Sequence, residues 1–311
     1  MERSTSWIAI LVLACGAAAG QATKESVRAT AEQKVLGSTL AFEYGVVSAA
    51  ERTLADLAVG GFWNPGASPA VLVIEAPLRA KDALVSPGRY AVKFGRRTET
   101  DWVMVVENVP RSFTAGRIGA DLDLPITRKE GPATDRLVAK WSMAKAPDKD
   151  GATGVTLELR LGTIVLELSG STFGGPERSS QGWTAHGWTL PADLCASMAA
   201  AGVPAPFVTF RHADAADPKR ERVFNLMVLG DSVAVIPASE GPGPDGAPIP
   251  TAQPELFSAG TWQPAKAKSP LTGTPLIEIK GRIGMYLRIN DGARATTFTI
   301  TEPDFGQKKK K

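Results

Sequence analysis

One stretch of the sequence constrains the fold more than any other. Residues 154–170, GVTLELRLGTIVLELSG, alternate apolar and polar side chains with a period of two, which matches a β-strand and not a helix. The apolar positions are Val155, Leu157, Leu159, Leu161, Ile164, Leu166 and Leu168. Because Gly162 and Thr163 interrupt the pattern, we expect a β-hairpin that turns there, with one face in a core and one in water.

The rest of the chain contains further strand-like runs separated by glycine and proline. The 311 residues include 31 glycines and 23 prolines, which favours short strands joined by turns. Apolar side chains from Trp102 to Val106 occupy both faces of the run DWVMVVENV, so we expect this strand to be buried on both sides. Asp121 and Asp123 share one face of the extended run ADLDLP, which we interpret as a solvated edge. We predict a mostly β protein of two β-sandwich-like domains with short helices.

Residues 1–22 have the order of a bacterial-type export signal. A charged start, MERSTS, is followed by the apolar run WIAILVLA and by the small residues of CGAAAGQA. Two endings stay open: VLAC resembles a lipobox in which Cys15 is lipidated, and ordinary cleavage after Ala19 or Ala22 also fits. No later segment has the length of a membrane-spanning helix. We therefore expect a protein of the periplasm or cell envelope, which is attached to a membrane only if Cys15 carries a lipid.

The charge of the chain does not indicate a nucleic-acid partner. The formal net charge is +3, but the lysines at 308–311 contribute +4, so the remainder carries −1. A terminal lysine run is typical of a solvated tail. Once the signal is removed, Cys195 is the cysteine that remains in addition to any lipidated Cys15, so no internal disulfide is expected.

The order of several motifs in the N-terminal half resembles a known family. The motifs are FEYGVVS, GFWNPGASPA, PGRYAVKF, DWVMVVEN and VTLELRLGTIVLEL, and they resemble domain of unknown function family 2911, found in exported bacterial proteins. The matching positions are Tyr44, Trp63, Gly66, Ala67, Gly88, Tyr90 and Trp102, within roughly residues 35–170, about half the chain. Asn64 and Ser68 stand where the family usually has arginine and asparagine. The resemblance implies a β-rich fold and supplies no catalytic residues.

These patterns divide the chain into two domains. We expect a first β domain over residues 23–170, a second β-rich domain over 171–307, and the lysine tail at 308–311. In the second domain, TLPADLCASMAAAG predicts a short helix that starts near Pro191 and stops at Gly202. Turns are predicted at Asp217-Pro218, at Gly230-Asp231 and at Asn290-Asp291-Gly292. A proline- and glycine-rich loop is expected over residues 237–275, which contain nine prolines.

The stretch GWTAHGWTLPADLC, residues 182–195, contains the first candidates for functional residues. His186, Cys195, His212 and Asp214 are suitable metal ligands that a strand–helix–strand order can bring together, although their spacing matches no standard zinc motif. Cys195 with His186 or His212 is also a candidate nucleophile and base. The alternative is that Cys195 packs as a small apolar residue beside Leu194 and Met198.

Three tryptophans offer a different kind of site. Trp183, Trp188 and Trp262 can form an aromatic platform for a glycan or a peptide, or they can fill the core between helix and sheet. The sequence lacks the G-x-S-x-G, H-E-x-x-H, Walker and paired C-x-x-C motifs, and we assign no catalytic residue and no cofactor. The leading hypothesis is a non-catalytic binding or structural module of the cell envelope. The alternative is an envelope enzyme, metal-assisted or hydrolytic, that uses the second domain.

Overall fold

The computed structural model confirms a mostly β, sandwich-like protein. It describes residues 27–50, 54–113, 118–148, 150–180, 183–214, 217–230, 232–238, 258–261, 263–264, 276–280, 284–290 and 294–301. This part of the chain forms twenty strands, one α-helix and one short 3-10 helix. No helix within it is long and apolar enough to cross a membrane. The export signal, Cys15, Trp262, the lysine tail and most of the predicted proline-rich loop lie outside the described residues.

The first half of the chain folds as one antiparallel sheet of ten strands. The strands are β1 (Arg28–Val35), β2 (Ser38–Gly45), β3 (Phe62–Trp63), β4 (Ala70–Ile74), β5 (Leu78–Ala80), β6 (Ala83–Val85), β7 (Gly88–Arg96), β8 (Trp102–Pro110), β9 (Gly119–Met143) and β10 (Thr153–Thr172). Their order is β1-β2-β4-β7-β8-β9-β10-β5-β6, with β3 paired to β7 and the 3-10 helix at Leu54–Asp56. Each of these pairings is antiparallel, so short connections suffice to join the strands.

The long strand β9 folds this sheet into two layers. Its residues 119–126 pair with β8, and its residues 127–143 pair with β10. The chain after β2 then meets β9 on the far side: the Ala49 amide donates to the Asp135 carbonyl (2.9 Å), and the Leu137 amide donates to the Val47 carbonyl (2.9 Å). The two layers enclose one core that includes Phe42, Tyr90, Phe94, Met104, Leu157 and Leu166. This arrangement is a β-sandwich.

The predicted hairpin at Gly162-Thr163 is wrong, because β10 continues through both residues as a single strand. The register against β9 shifts on either side of Gly162, whose φ is +60°. Between Arg160 and Ile164, β10 advances four residues while β9 advances eight, so the ladder has a bulge-type irregularity around Gly162. The left-handed backbone of Gly162 changes which positions of β10 face the core, so the apolar positions are odd-numbered up to Leu161 and even-numbered from Ile164. A turn and an irregularity within a strand both interrupt the apolar alternation in the same way, so the sequence does not distinguish them.

The second half contains a six-stranded sheet, a four-stranded sheet and the helix. The six-stranded sheet runs in the order β11 (Glu177–Ser180), β12 (Trp183–Gly187), β13 (Ala205–Asp214), β14 (Asp217–Leu229), β15 (Ser232–Pro237) and β16 (Ser258–Thr261), and helix α1 (Ala192–Ala200) connects β12 to β13. The four-stranded sheet has the order β17 (Gln263–Pro264), β20 (Arg294–Thr301), β19 (Gly284–Asn290) and β18 (Leu276–Lys280). Strand β20 lies beside β16, so the two sheets meet there.

Most of the helix ends and turns predicted for this half are confirmed. Pro191 directly precedes α1, and Gly202, with φ at +69°, follows its end. The β14–β15 and β19–β20 pairs are antiparallel hairpins, as expected. The hairpin predicted within RHADAADPKRE is confirmed, but its turn comes before Asp217-Pro218, because Asp217 is paired with Asp214 and both residues already belong to strands. The connection between β13 and β14 is therefore much shorter than the polar sequence RHADAADPKRE indicated.

The two faces of the six-stranded sheet have different neighbours. One face carries an apolar cluster of its own: Ala185, Val208, Phe210, Phe224, Leu226, Val233 and Val235. On the other face, Met227, Ala234 and Ile236 pack against Ile118 from the β8–β9 connection of the first sheet. Helix α1 also contacts the first half, through Leu194 and Met198 in one apolar cluster with Leu84 and Ala152. We call this contact between the two halves the seam.

Candidate functional site

A chain of buried hydrogen bonds crosses the seam. The Trp188 indole Nε1 donates to Thr209 Oγ1 (2.9 Å), and Thr209 Oγ1 donates to Asn225 Oδ1 (2.8 Å). Asn225 Nδ2 then donates to the carbonyl oxygen of Pro87 (2.7 Å), which lies just before β7 in the first sheet. Trp188, Thr209 and Asn225 are 2%, 1% and 0% exposed. Buried polar groups that find partners in this way hold two surfaces in one defined arrangement.

His186 lies directly on this chain. Its ring stacks on the Trp188 ring, with the centroids 4.0 Å apart and the planes at 15°. His186 Nδ1 is 3.7 Å from Glu177 Oε2, a separation too long for a hydrogen bond. His186 Nε2 is buried and has no hydrogen-bond partner in the described part of the chain. Burial lowers the pKa of His186 below its ordinary value; Glu177 and the backbone of Gly175 oppose this shift, and the positive charge of Arg211 adds to it.

A second polar contact crosses the seam close to His186. Arg211 Nη1 donates to Glu75 Oε1 (3.2 Å), and Glu75 Oε2 accepts a hydrogen bond from the Thr39 amide (2.7 Å). Glu75 follows β4 in the first sheet, so Arg211 joins the two halves by an ion pair that is only partly exposed. Thr184, two residues before His186 in β12, is opposite Arg211 in β13, so Arg211 and His186 project from the same face.

The structure separates the four predicted metal ligands. His186 is opposite Thr209 in the β12–β13 register, and His212 follows Thr209 by three residues, so the two histidines lie on opposite faces of the sheet. Cys195 packs in the apolar cluster of α1, away from both. Asp214 ends β13. No group of three potential metal-ligating side chains occurs among the described residues.

Cys195 has the environment of a packed residue. It is half-buried and belongs to the cluster formed by Leu194 and Met198, as the packing interpretation of the sequence expects. Burial raises the pKa of the Cys195 thiol, and Asp193 raises it further. An activated thiol requires the opposite shift, because the thiolate is the nucleophile. The seam therefore brings neither histidine to a reactive cysteine.

The predicted tryptophan platform is not an open surface at Trp188. Its ring is buried in the seam, which agrees with the alternative that it fills the space between helix and sheet. Trp183 lies in β12, opposite His212. Trp262 lies outside the described residues. The structure therefore assigns a packing role to the one tryptophan of the three whose side chain it describes.

An exposed aromatic ring occurs elsewhere, on the outer face of the first sheet. Phe62 is 44% exposed and is the aromatic member of the large apolar side chains that are exposed in the described region. It is paired with Gly95 of β7, and a Cβ atom at Gly95 would lie 3.0 Å from its ring. Lys93 Nζ lies 5.2 Å and Arg97 Cζ 5.0 Å from the ring centroid. We call Phe62, Gly95, Lys93 and Arg97 the aromatic ledge.

Both cations of the aromatic ledge have acidic partners, Glu107 in β8 for Lys93 and Asp123 in β9 for Arg97. Arg97 Nε and Nη2 each donate to one oxygen of Asp123, both at 2.7 Å. Lys93 Nζ donates to Glu107 Oε1 at 2.9 Å. These long side chains extend across the small apolar residues of β8, and Val105 beneath them is 1% exposed. Because the charged side chains of Lys93 and Arg97 cover its outer face, β8 is buried on both faces, as the sequence predicted.

A simple signal points to Phe62 in the sequence, although our sequence reasoning did not use it. Phe62 and Trp63 are adjacent in a strand, and successive strand residues point to opposite faces. Trp63 takes the core side, where its ring packs near Phe94. Phe62 must therefore point outward. Adjacent aromatic residues in a short strand indicate one exposed ring.

Several residues of the family resemblance have structural roles here. The Tyr90 hydroxyl is fully buried and hydrogen-bonded to the Ser86 carbonyl (2.9 Å) and to Ser86 Oγ (3.0 Å). Burial raises the pKa of Tyr90 strongly, against a smaller opposing effect of Ser86. The Tyr44 hydroxyl accepts a hydrogen bond from the Ala139 amide (3.1 Å), which joins the two layers of the sandwich. The Trp102 ring is buried under Arg96 and Arg128.

The structure thus defines a two-part, sandwich-like β protein with a polar seam and an exposed aromatic ledge. Comparison of the chain with protein-family models, with curated proteins and with solved structures finds no match in any of the three.

Proposed function

We propose that this protein is an exported, non-catalytic binding module of the cell envelope that binds an acidic glycan on the aromatic ledge. The observation that carries the proposal is the exposed Phe62 ring, with Lys93 Nζ and Arg97 Cζ 5.2 Å and 5.0 Å from its centroid. The flat apolar face of a sugar ring can stack on an exposed aromatic ring, and cations beside the ring attract carboxylate or sulfate groups. The export-signal pattern of residues 1–22 supports a location where such glycans occur.

The construction of the ledge supports a binding role. Gly95 leaves no side chain beneath the ring, so Phe62 rests on the backbone of β7 and has little freedom to move. A ring that is already fixed loses little conformational entropy when a ligand stacks on it. The acidic partners Glu107 and Asp123 hold the two cations in place, and they also compete with an acidic ligand for them. Affinity for anions should therefore depend on how firmly Arg97 is paired.

The test is direct binding of acidic and neutral glycans to the protein that lacks residues 1–22, measured by calorimetry. Phe62→Ala should weaken binding of an acidic glycan about tenfold, which corresponds to about 1.4 kcal/mol of lost stacking. Met143→Ala is the matched control, because Met143 is also exposed but lies far along β9, and it should leave the affinity unchanged.

A second variant tests the role of charge. Asp123→Asn removes the negative charge that is paired with Arg97, so acidic glycans should bind more tightly while neutral glycans do not change. Unchanged binding in both Phe62→Ala and Asp123→Asn would show that the ledge is not the site. Binding of acidic peptides in place of glycans, with the same variant pattern, would retain the ledge and replace the ligand class.

The proposed location has its own test. Mass spectrometry of the N-terminus after expression in a bacterial host distinguishes lipidated Cys15 from cleavage after Ala19 or Ala22. Cys15→Ser should release the protein from the membrane fraction only if the lipidated form is the product. An uncleaved chain in the cytosol would contradict export.

The rival function, a metal-assisted envelope enzyme, is tested by elemental analysis of the purified protein. Stoichiometric transition metal, together with a fall in melting temperature on chelation, would favour the enzyme over the binding module. The same measurement on His186→Ala would then show whether that histidine holds the metal.

A further inference from the structure

We propose that His186 makes the seam sensitive to pH, so that taking up a proton loosens the contact between the two halves of the protein. The inference does not depend on the ligand of the aromatic ledge. It rests on where the ring lies, on what surrounds it, and on the two contacts that it adjoins.

The position of His186 couples it to both contacts that cross the seam. Its ring covers Trp188, whose indole begins the hydrogen-bond chain to the Pro87 carbonyl. It also lies on the same sheet face as Arg211, which holds Glu75 of the first half. A charge that appears on the ring therefore acts on the stack with Trp188 and on the Arg211–Glu75 pair together.

The surroundings favour the neutral ring. Two charged groups act on His186: Glu177 from β11 and Arg211 from β13. Arg211 is itself paired with Glu75, from the connection after β4. Glu177 is the acid nearest the ring, but it is largely exposed and 3.7 Å away, so solvent weakens its attraction. Nε2 is buried without an acceptor among the described residues, so a proton placed there would have no partner.

The direction of the pH effect follows by linkage. Burial lowers the pKa of folded His186 below its ordinary value of 6.5; Glu177 and the backbone of Gly175 oppose this shift, and Arg211 adds a smaller effect in the same direction as burial. The seam is therefore fully stabilised above that ordinary value and loses stability as pH falls below it, down to the lowered pKa. Within this window the opening equilibrium of the seam should rise by up to about tenfold per pH unit.

The experiment is hydrogen–deuterium exchange of the full mature protein at several pH values between 7.5 and 5, with intrinsic exchange rates corrected. The chain has two histidines, so His212→Gln is a matched control on the opposite face of the same sheet. We expect exchange in β12, in β13 and around Pro87 to accelerate on acidification in the wild type and in His212→Gln. The acceleration should be absent in His186→Phe, which keeps an aromatic ring over Trp188 and cannot take up a proton.

Equal acceleration in the wild type and in His186→Phe would overturn the proposal. Should His186→Phe fold poorly, His186→Gln provides a second neutral side chain, and the same comparison applies. An NMR titration of the His186 ring gives an independent readout: a pKa at or above the ordinary value would also overturn it. Faster exchange confined to regions far from the seam would count against the proposal as well.

Discussion

Thr209→Val tests the structural role of the seam most directly. The Thr209 hydroxyl accepts from Trp188 Nε1 and donates to Asn225 Oδ1, and valine has nearly the same shape without the hydroxyl. The variant leaves a buried donor and a buried acceptor without partners, while packing changes little. Each such group costs about 1–3 kcal/mol, so the free energy of unfolding should fall by roughly 2–6 kcal/mol.

The assay is urea denaturation followed by tryptophan fluorescence and by circular dichroism. Thr127→Val is the matched control, because Thr127 is exposed on β9 and the same substitution there should change stability by less than about 0.5 kcal/mol. In the double variant Trp188→Phe/Thr209→Val the orphaned indole donor is absent, so the loss should be smaller than the sum of the two single losses. A loss at Thr209 no larger than that of the control would refute the argument that the chain stabilises the seam.

Three further predictions concern individual residues. Ultraviolet titration at alkaline pH should show Tyr90 ionising only when the protein unfolds, because burial raises its pKa; ionisation of Tyr90 while the protein is still folded would contradict this. Cys195 should react slowly with a disulfide reagent at pH 8 in the folded protein and quickly in urea, because its pKa is also raised. Gly175→Ala should destabilise the protein by about 1–3 kcal/mol, because a Cβ there would clash with the Gly187 carbonyl oxygen. Gly154→Ala, whose Cβ would make only ordinary contact, is the control in the same melting experiment.

Local features of the fold were predictable from the sequence because each depends on neighbouring residues. The apolar run from Trp102 to Val106 identified a strand buried on both faces. Pro191 and Gly202 bounded the helix, since one fits a helix start and the other permits the positive φ after its end. The bulge at Gly162 was not predictable, because only the pairing with β9 distinguishes it from a turn.

Only part of the seam was predictable from the sequence. The stretch around His186 and Trp188 is central to the seam, as its unusual composition suggested, but its partners are distant in sequence. Asn225 and Pro87 are 138 residues apart, and Arg211 and Glu75 are 136 apart. No local pattern encodes such contacts, so the sequence marked the right residues and suggested metal or ligand chemistry for side chains that pack and hold the seam.

The seam also predicts an asymmetry between the two halves. The main core lies entirely between Val35 and Leu168, so the fragment of residues 23–172 should fold alone and melt cooperatively. Asn225 Nδ2 finds its acceptor in the first half, and Met227 packs against Ile118 there. The fragment of residues 173–311 should therefore expose apolar surface, bind a hydrophobic dye and lack a sharp melt. A cooperative melt of that fragment, with Trp188 fluorescence as in the intact protein, would show that the second half does not need the first.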